Sequence, residues 1–102
     1  MTFVELTAYT RRVADLLDEE SQLNLYVRLL MRPDAGNVIP GSGGLRKIRV
    51  AAKGHGRRGG ARVIYYWQTA AGTISLCRIY AKNEADKLTT AEIKKIQQEL
   101  RA

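Results

Sequence analysis

Nine basic side chains fall between Ala35 and Asn83: Arg46, Lys47, Arg49, Lys53, Arg57, Arg58, Arg62, Arg78 and Lys82. The same stretch contains no aspartate or glutamate, so it carries +9. The flanks hold the other eight Lys and Arg with all ten acids, a net of −2 within a chain of net charge +7. A solvated surface mixes its signs, so a one-sided middle reads as the electrostatic footprint of a polyanion. A nucleic acid is the most common such partner and an acidic protein the next. Guanidinium groups bind phosphate oxygens in bidentate fashion, and glycine lets backbone amides approach a phosphate closely. KGHGRRGG, residues 53–60, combines both features and reads as a hairpin loop at the rim of a basic surface. It is not a nucleotide P-loop, because GK[ST] and a strand-loop-helix setting are missing. Histidine as a residue type can shuttle protons near neutral pH, which makes His55 a candidate for that role. One histidine and one cysteine without acidic neighbours do not make a metal site, so neither metal nor cofactor is expected.

These residues need a scaffold, and the composition permits one. With 102 residues and 45% hydrophobic content, the chain is expected to form a single domain, 1–102, with one modest core. The lone thiol, Cys77, sits in an apolar run and reads as a small buried hydrophobe in a reducing compartment. MTFVELTAYTRR lacks the apolar core of a signal peptide, and no run approaches the ~20 apolar residues of a membrane span. The expectation is a cytoplasmic protein with no membrane partner.

Thr2 to Leu6 reads as a short strand. Thr7 or Thr10 then caps a helix with Val13, Leu16 and Leu17 on one face. Asp18 caps a second helix, with Leu23, Tyr26, Val27 and Leu30 at helical spacing, and Pro33 stops it. Residues 34–44 are a loop by composition. The period then becomes two. Ile48 and Val50 oppose Lys47 and Arg49, while Arg62, Ile64 and Tyr66 oppose Val63, Tyr65 and Trp67. TISLCRIY is a third strand of mixed pattern, and Thr89 to Glu92 forms a capping box before a helix bearing Ile93, Ile96 and Leu100. The order β-αα-βββ-α predicts an α+β domain, an antiparallel sheet with its helices on one face. The other face would expose Lys47, Arg49 and Arg62.

The segments PGSGGLRKIR, GGARVIYYW and IYAKNE, in register from Pro40 to Ile96, resemble the RelE/HigB group of type II toxins. The resemblance is closest to the HigB branch with a glycine-rich insertion between the first two sheet strands. It implies a RelE-like fold and a ribosome-dependent mRNA endonuclease that needs no metal and is neutralised by an antitoxin. In such chemistry the 2′-hydroxyl attacks the neighbouring phosphate, which requires a base, positive charge on the phosphoryl oxygens and an acid for the leaving 5′-oxygen.

By position, the resemblance assigns catalytic roles to Lys47, Arg49, Arg62 and Lys82; the basic stretch and its aromatics read separately as RNA contacts at Arg46, Lys53, Arg57, Arg58, Tyr66 and Tyr80. RelE has an arginine where this chain has Asn83, and a tyrosine where it has Lys87, Leu88 and Thr89. The acid is therefore unassigned, with Tyr66 and Tyr80 as candidates. The implied partners are the ribosome, mRNA and an antitoxin, expected to be a helix-turn-helix protein encoded by the adjacent gene. Two alternatives stay open: a ParE-like gyrase poison, and a degenerate toxin that only binds its antitoxin.

Overall fold

The computed structural model describes residues 1–52, 56–82, 84 and 88–102. The elements run β1 (Thr2–Glu5), α1 (Thr7–Leu16), α2 (Glu19–Met31), β2 (Asn37–Val38), β3 (Arg46–Ala52), β4 (Gly56–Gln68), β5 (Thr73–Ala81) and α3 (Thr90–Arg101). The α+β class and the expected order hold, with β2 added inside the segment read as loop. No helix among the described residues is long and apolar enough to cross a membrane.

One five-stranded sheet has the order β1-β5-β4-β3-β2. It is not wholly antiparallel: β1 runs parallel to β5, with Thr2 opposite Thr73 and Glu5 opposite Leu76. A strand of four residues carries no direction in its own sequence. The edge it joins decides that, and β5 is the last strand to emerge in the chain.

The helices divide between the two faces instead of sharing one. Tyr9, Val13 and Leu17, at and just after α1, and Leu25 and Leu29 of α2 pack with Ile48, Val63, Tyr65, Ile74, Leu76 and Ile79. On the opposite face α3 sets Ile96 against Leu45, Ile64 and Cys77. A β-bulge explains why β5 resisted a simple alternating pattern. Ile64 pairs with Arg78 but Tyr65 pairs with Leu76, so Cys77 is the extra residue. The bulge turns both Cys77 and Arg78 toward α3. Burial pushes the Cys77 thiol pKa up to about 12, which keeps it protonated and inert.

Local chemistry sets several boundaries. The Asp18 carboxylate accepts the Ser21 N–H at 2.8 Å, and Thr89 Oγ1 accepts the Glu92 N–H at 3.1 Å, so both sequence-predicted caps are present. Neither Thr7 nor Thr10 caps α1; Leu6 occupies that position without a side-chain bond. The buried Tyr65 hydroxyl donates to Pro33 O and accepts from Gly36 N, both at 2.8 Å, pinning the turn after α2. A Cβ at Gly36 would lie 2.8 Å from the Tyr65 ring and 2.9 Å from Lys47 O, so only glycine fits there. In PGSGG, Gly43 and Gly44 adopt φ of 75° and 104°. The turn presents Ser42 O to Gln97 Nε2 at 2.6 Å and so docks α3.

The apolar face of α2 is not the expected one. Leu25 and Leu29 are buried and Tyr26 packs partly against them, whereas Leu23, Val27 and Leu30 face solvent. Seven of the thirteen residues in α2 are large and apolar, so helical spacing marks two stripes, and only packing selects between them.

Candidate functional site

The strand pairings bring three expected residues into one row across the sheet. Arg49 of β3 lies opposite Arg62 of β4, and Arg62 lies opposite Tyr80 of β5. Adjacent strands sit about 4.8 Å apart, so the row places two guanidiniums and a phenol within reach of one phosphate. All three belong to the face that carries α3, and Tyr80 packs, partly buried, against the edge of the cluster under that helix. Lys47 is on the same face, two residues before Arg49 and opposite Ile64. Lys82 follows the end of β5 directly. A pocket of about 180 Å³ is lined by Arg49, Val50, Ala51, Gly60, Ala61, Arg62 and Lys82.

Arg62 is not at a strand end, as its place in the sequence suggests, but in the middle of β4 between two partner strands. Ladder hydrogen bonds on both sides fix its backbone. Like charges directly opposite in a sheet are destabilising. A phosphate bridging Arg49 and Arg62 would turn that repulsion into attraction. Tyr80 is half-buried, and burial, followed by the field of Glu92, raises its pKa. It therefore keeps its proton at neutral pH.

Other expected residues are placed elsewhere. Arg46 pairs with Tyr65 on the opposite face, and its guanidinium donates to Gly36 O at 2.8 Å and Asp34 O at 3.3 Å. Tyr66 shares the face of Arg62 but lies four residues along β4, roughly 13 Å away. There it packs against the cluster under α3. Arg57 and Arg58, expected in a loop, belong to β4 by backbone conformation. The pairing of Ala52 with Gly56 and of Val50 with Ala61 shows that β4 contains extra residues here, an irregularity suited to Gly59 and Gly60. Lys53, His55 and Asn83 lie outside the described residues.

Two features were missed in the sequence. Arg12 of α1 grips Glu84 with two contacts of 2.8 Å, and Glu84 also accepts the Ala81 N–H at 2.7 Å. The carboxylate thus ties the chain after Lys82 back to β5 and to a helix. Its pKa is lowered first by the Arg12 hydrogen bond and then by the Ala81 amide. Glu84 is the first acid after the long basic stretch, which is the one signal the sequence offers for it. The second feature is Arg78. It counts toward the +9 but is only 6% exposed, and its guanidinium bonds Glu99 of α3 at 2.8 and 3.0 Å. Glu92 lies 3.7 Å from it. That charge is committed to holding α3.

No protein-family model matches the chain. Among solved structures it is similar to a double arginine-to-alanine mutant of the E. coli toxin RelE in the free state. The TM-score is 0.59 at 16% identity, over 96% of this chain and 90% of that one. The two-helix layer, the five-stranded sheet and the single C-terminal helix together give this chain a RelE-like fold.

Proposed function

We propose that this chain is a RelE-type toxin that cleaves mRNA in the ribosome and is neutralised by an antitoxin. The observation that carries this reading is the row Arg49–Arg62–Tyr80, with both arginines lining one pocket together with Lys82. In the proposed reaction Arg62 and Arg49 hold the non-bridging oxygens of the scissile phosphate. Lys82, reacting as its neutral amine, takes the proton of the 2′-hydroxyl and becomes an ammonium as O2′ attacks phosphorus. The P–O5′ bond breaks as Tyr80 delivers its proton to O5′, leaving a 2′,3′-cyclic phosphate and a 5′-hydroxyl. Charge stabilisation by aimed cations supplies the largest share of the rate, and general acid-base transfer adds about 10²–10⁴-fold. Lys47 extends the cationic track for the message.

The antitoxin is proposed to be a small helix-turn-helix protein encoded by the adjacent gene. Against a chain of net charge +7, an acidic segment would associate quickly and in a salt-dependent way.

The test is to add the purified chain to translating ribosomes and map message 5′-ends, with a gyrase cleavage assay alongside. New 5′-hydroxyl ends within ribosome-occupied codons support the reading. Double-strand DNA breaks without message cleavage would instead make the chain a gyrase poison.

A further inference from the structure

A second cavity opens beside the C-terminal end of α3, with a volume of about 290 Å³. Leu45, Leu100 and Tyr66 supply its apolar wall, and Gln68, Gln97 and Arg101 supply polar groups. Tyr66 is half-buried, whereas Gln68 and Arg101 are exposed, so the cavity is reached from solvent. Gln97 is not free to turn its amide. Its Nε2 donates to Ser42 O at 2.6 Å, and only the nitrogen end of an amide can face a carbonyl oxygen, so Oε1 is a fixed acceptor. No carboxylate among the described residues lines the cavity. An aromatic ring, apolar walls, two amides and one cation are the groups that hold an unstacked base: the ring stacks on its face, and hydrogen bonds read its edge.

We propose that this cavity is a nucleobase subsite, which takes one base of the single-stranded message near the scissile phosphate. Position links it to the arginine row. Leu45, Lys47 and Arg49 alternate onto one face, Leu45 lining this cavity and Arg49 the pocket shared with Arg62. Exposed Lys47 stands between them. On β4 the same separation divides Tyr66 from Arg62, roughly 13 Å along the strand. A short stretch of extended RNA spans that distance, with Lys47 beside its backbone. The base stacks on Tyr66, Gln68 and Gln97 meet its edge, and Arg101 attracts the adjoining phosphate. This inference rests on the reading of the Arg49–Arg62 row as an RNA site and adds specificity to it. Phosphate contacts position a strand without reading its sequence, whereas a base contact reads it. Cleavage should therefore favour particular bases at a fixed offset from the cut.

Equilibrium binding to the full chain tests the subsite apart from cleavage. The probe is a short 2′-O-methyl oligoribonucleotide, which lacks the attacking hydroxyl, and a set of the same strand made abasic at each position in turn. The parent should bind the intact strand at least about fivefold more tightly than the version abasic at one particular position. Tyr66→Leu should lose that preference and Tyr66→Phe should keep it, because the ring remains. Gln68→Ala, at an exposed position that folding does not need, should reduce the preference about threefold. Absence of binding, equal binding of intact and abasic strands, or a preference unchanged in both Tyr66→Leu and Gln68→Ala would overturn the proposal. The two readings fail separately. A chain that cuts message on ribosomes but shows no base preference here keeps the toxin reading and loses the subsite. A chain with the Tyr66-dependent preference that cuts no message keeps the subsite and loses the nuclease.

Discussion

Arg62 and Arg78 stand on the same face of neighbouring strands, yet the fold uses them in opposite ways. Arg78 lies under α3, where the β5 bulge turns it into the grip of Glu99 and Glu92. Arg62 lines a pocket, in a row with Arg49 and Tyr80. One cation fastens a helix, and the other stands at the candidate site. Positive charge counted along a chain is therefore a poor guide to charge available for binding. What matters is which side chains the acids of other elements have already engaged.

The sharpest way to break this contrast is to exchange the consequences of the two arginines. Arg62→Ala should lower single-turnover message cleavage by about 100-fold, since an oriented donor at a phosphoryl-type transition state contributes roughly 2–4 kcal/mol. The variant should still fold, which circular dichroism checks. Arg78→Met should do the reverse, lowering unfolding free energy by about 1–3 kcal/mol in a denaturant titration. That range is reduced from the fully buried case because Glu99 and Glu92 are about a third exposed. Hydrogen exchange in α3 should accelerate, while cleavage per folded molecule stays within about threefold of the parent.

A smaller effect is expected at the Arg12–Glu84 clamp. Both side chains are more than a third exposed, so Arg12→Ala should cost less than about 1 kcal/mol of stability. Cleavage should nevertheless fall by roughly 3–10-fold at unchanged ribosome affinity, because the turn carrying Lys82 loses its tether. The smallest effect is in pH dependence. The Arg78 hydrogen bond holds the Glu99 pKa below its ordinary value of 4.5, and Arg12 does the same for Glu84. A carboxylate depressed in the folded state stabilises the protein fully above that value, and the contribution fades as pH falls through the folded pKa. Melting temperature should therefore drop as pH is lowered below 4.5, and Glu99→Gln should flatten that drop.

Much of the site was legible because a strand has a period of two. Alternation opposed Lys47 and Arg49 to Ile48, and Arg62 to Val63, while the strand pairing is what puts Arg62 on the face of Arg49. Asp18 and Thr89 announced two helix starts through their capping chemistry. The rest depended on contacts between distant segments. Nothing local to Cys77 predicts a bulge, so Arg78 reads as one more surface cation until Glu99 is found beside it. Tyr66 alternates correctly but lies a dozen ångströms from Arg62, because spacing along a strand says nothing of where a covering helix ends. Arg46 alternates to the other face, where the carbonyls of Asp34 and Gly36 hold it. On α2, two apolar stripes satisfy the same helical period, and the sequence contains no rule for choosing the buried one.

The most direct test compares Arg62→Ala with a variant carrying both Arg57→Ala and Arg58→Ala, on saturating translating ribosomes, by mapping message 5′-ends. If the chemistry lies on the sheet row, the Arg57/Arg58 variant cleaves at the parental rate at saturation and shows weaker binding with a shallower salt dependence. Arg62→Ala binds ribosomes and leaves the message intact. The contradicting result is the reverse, with cleavage lost in the double variant at saturation and retained in Arg62→Ala. The reaction would then belong to the glycine-rich segment, with His55 as its first candidate group.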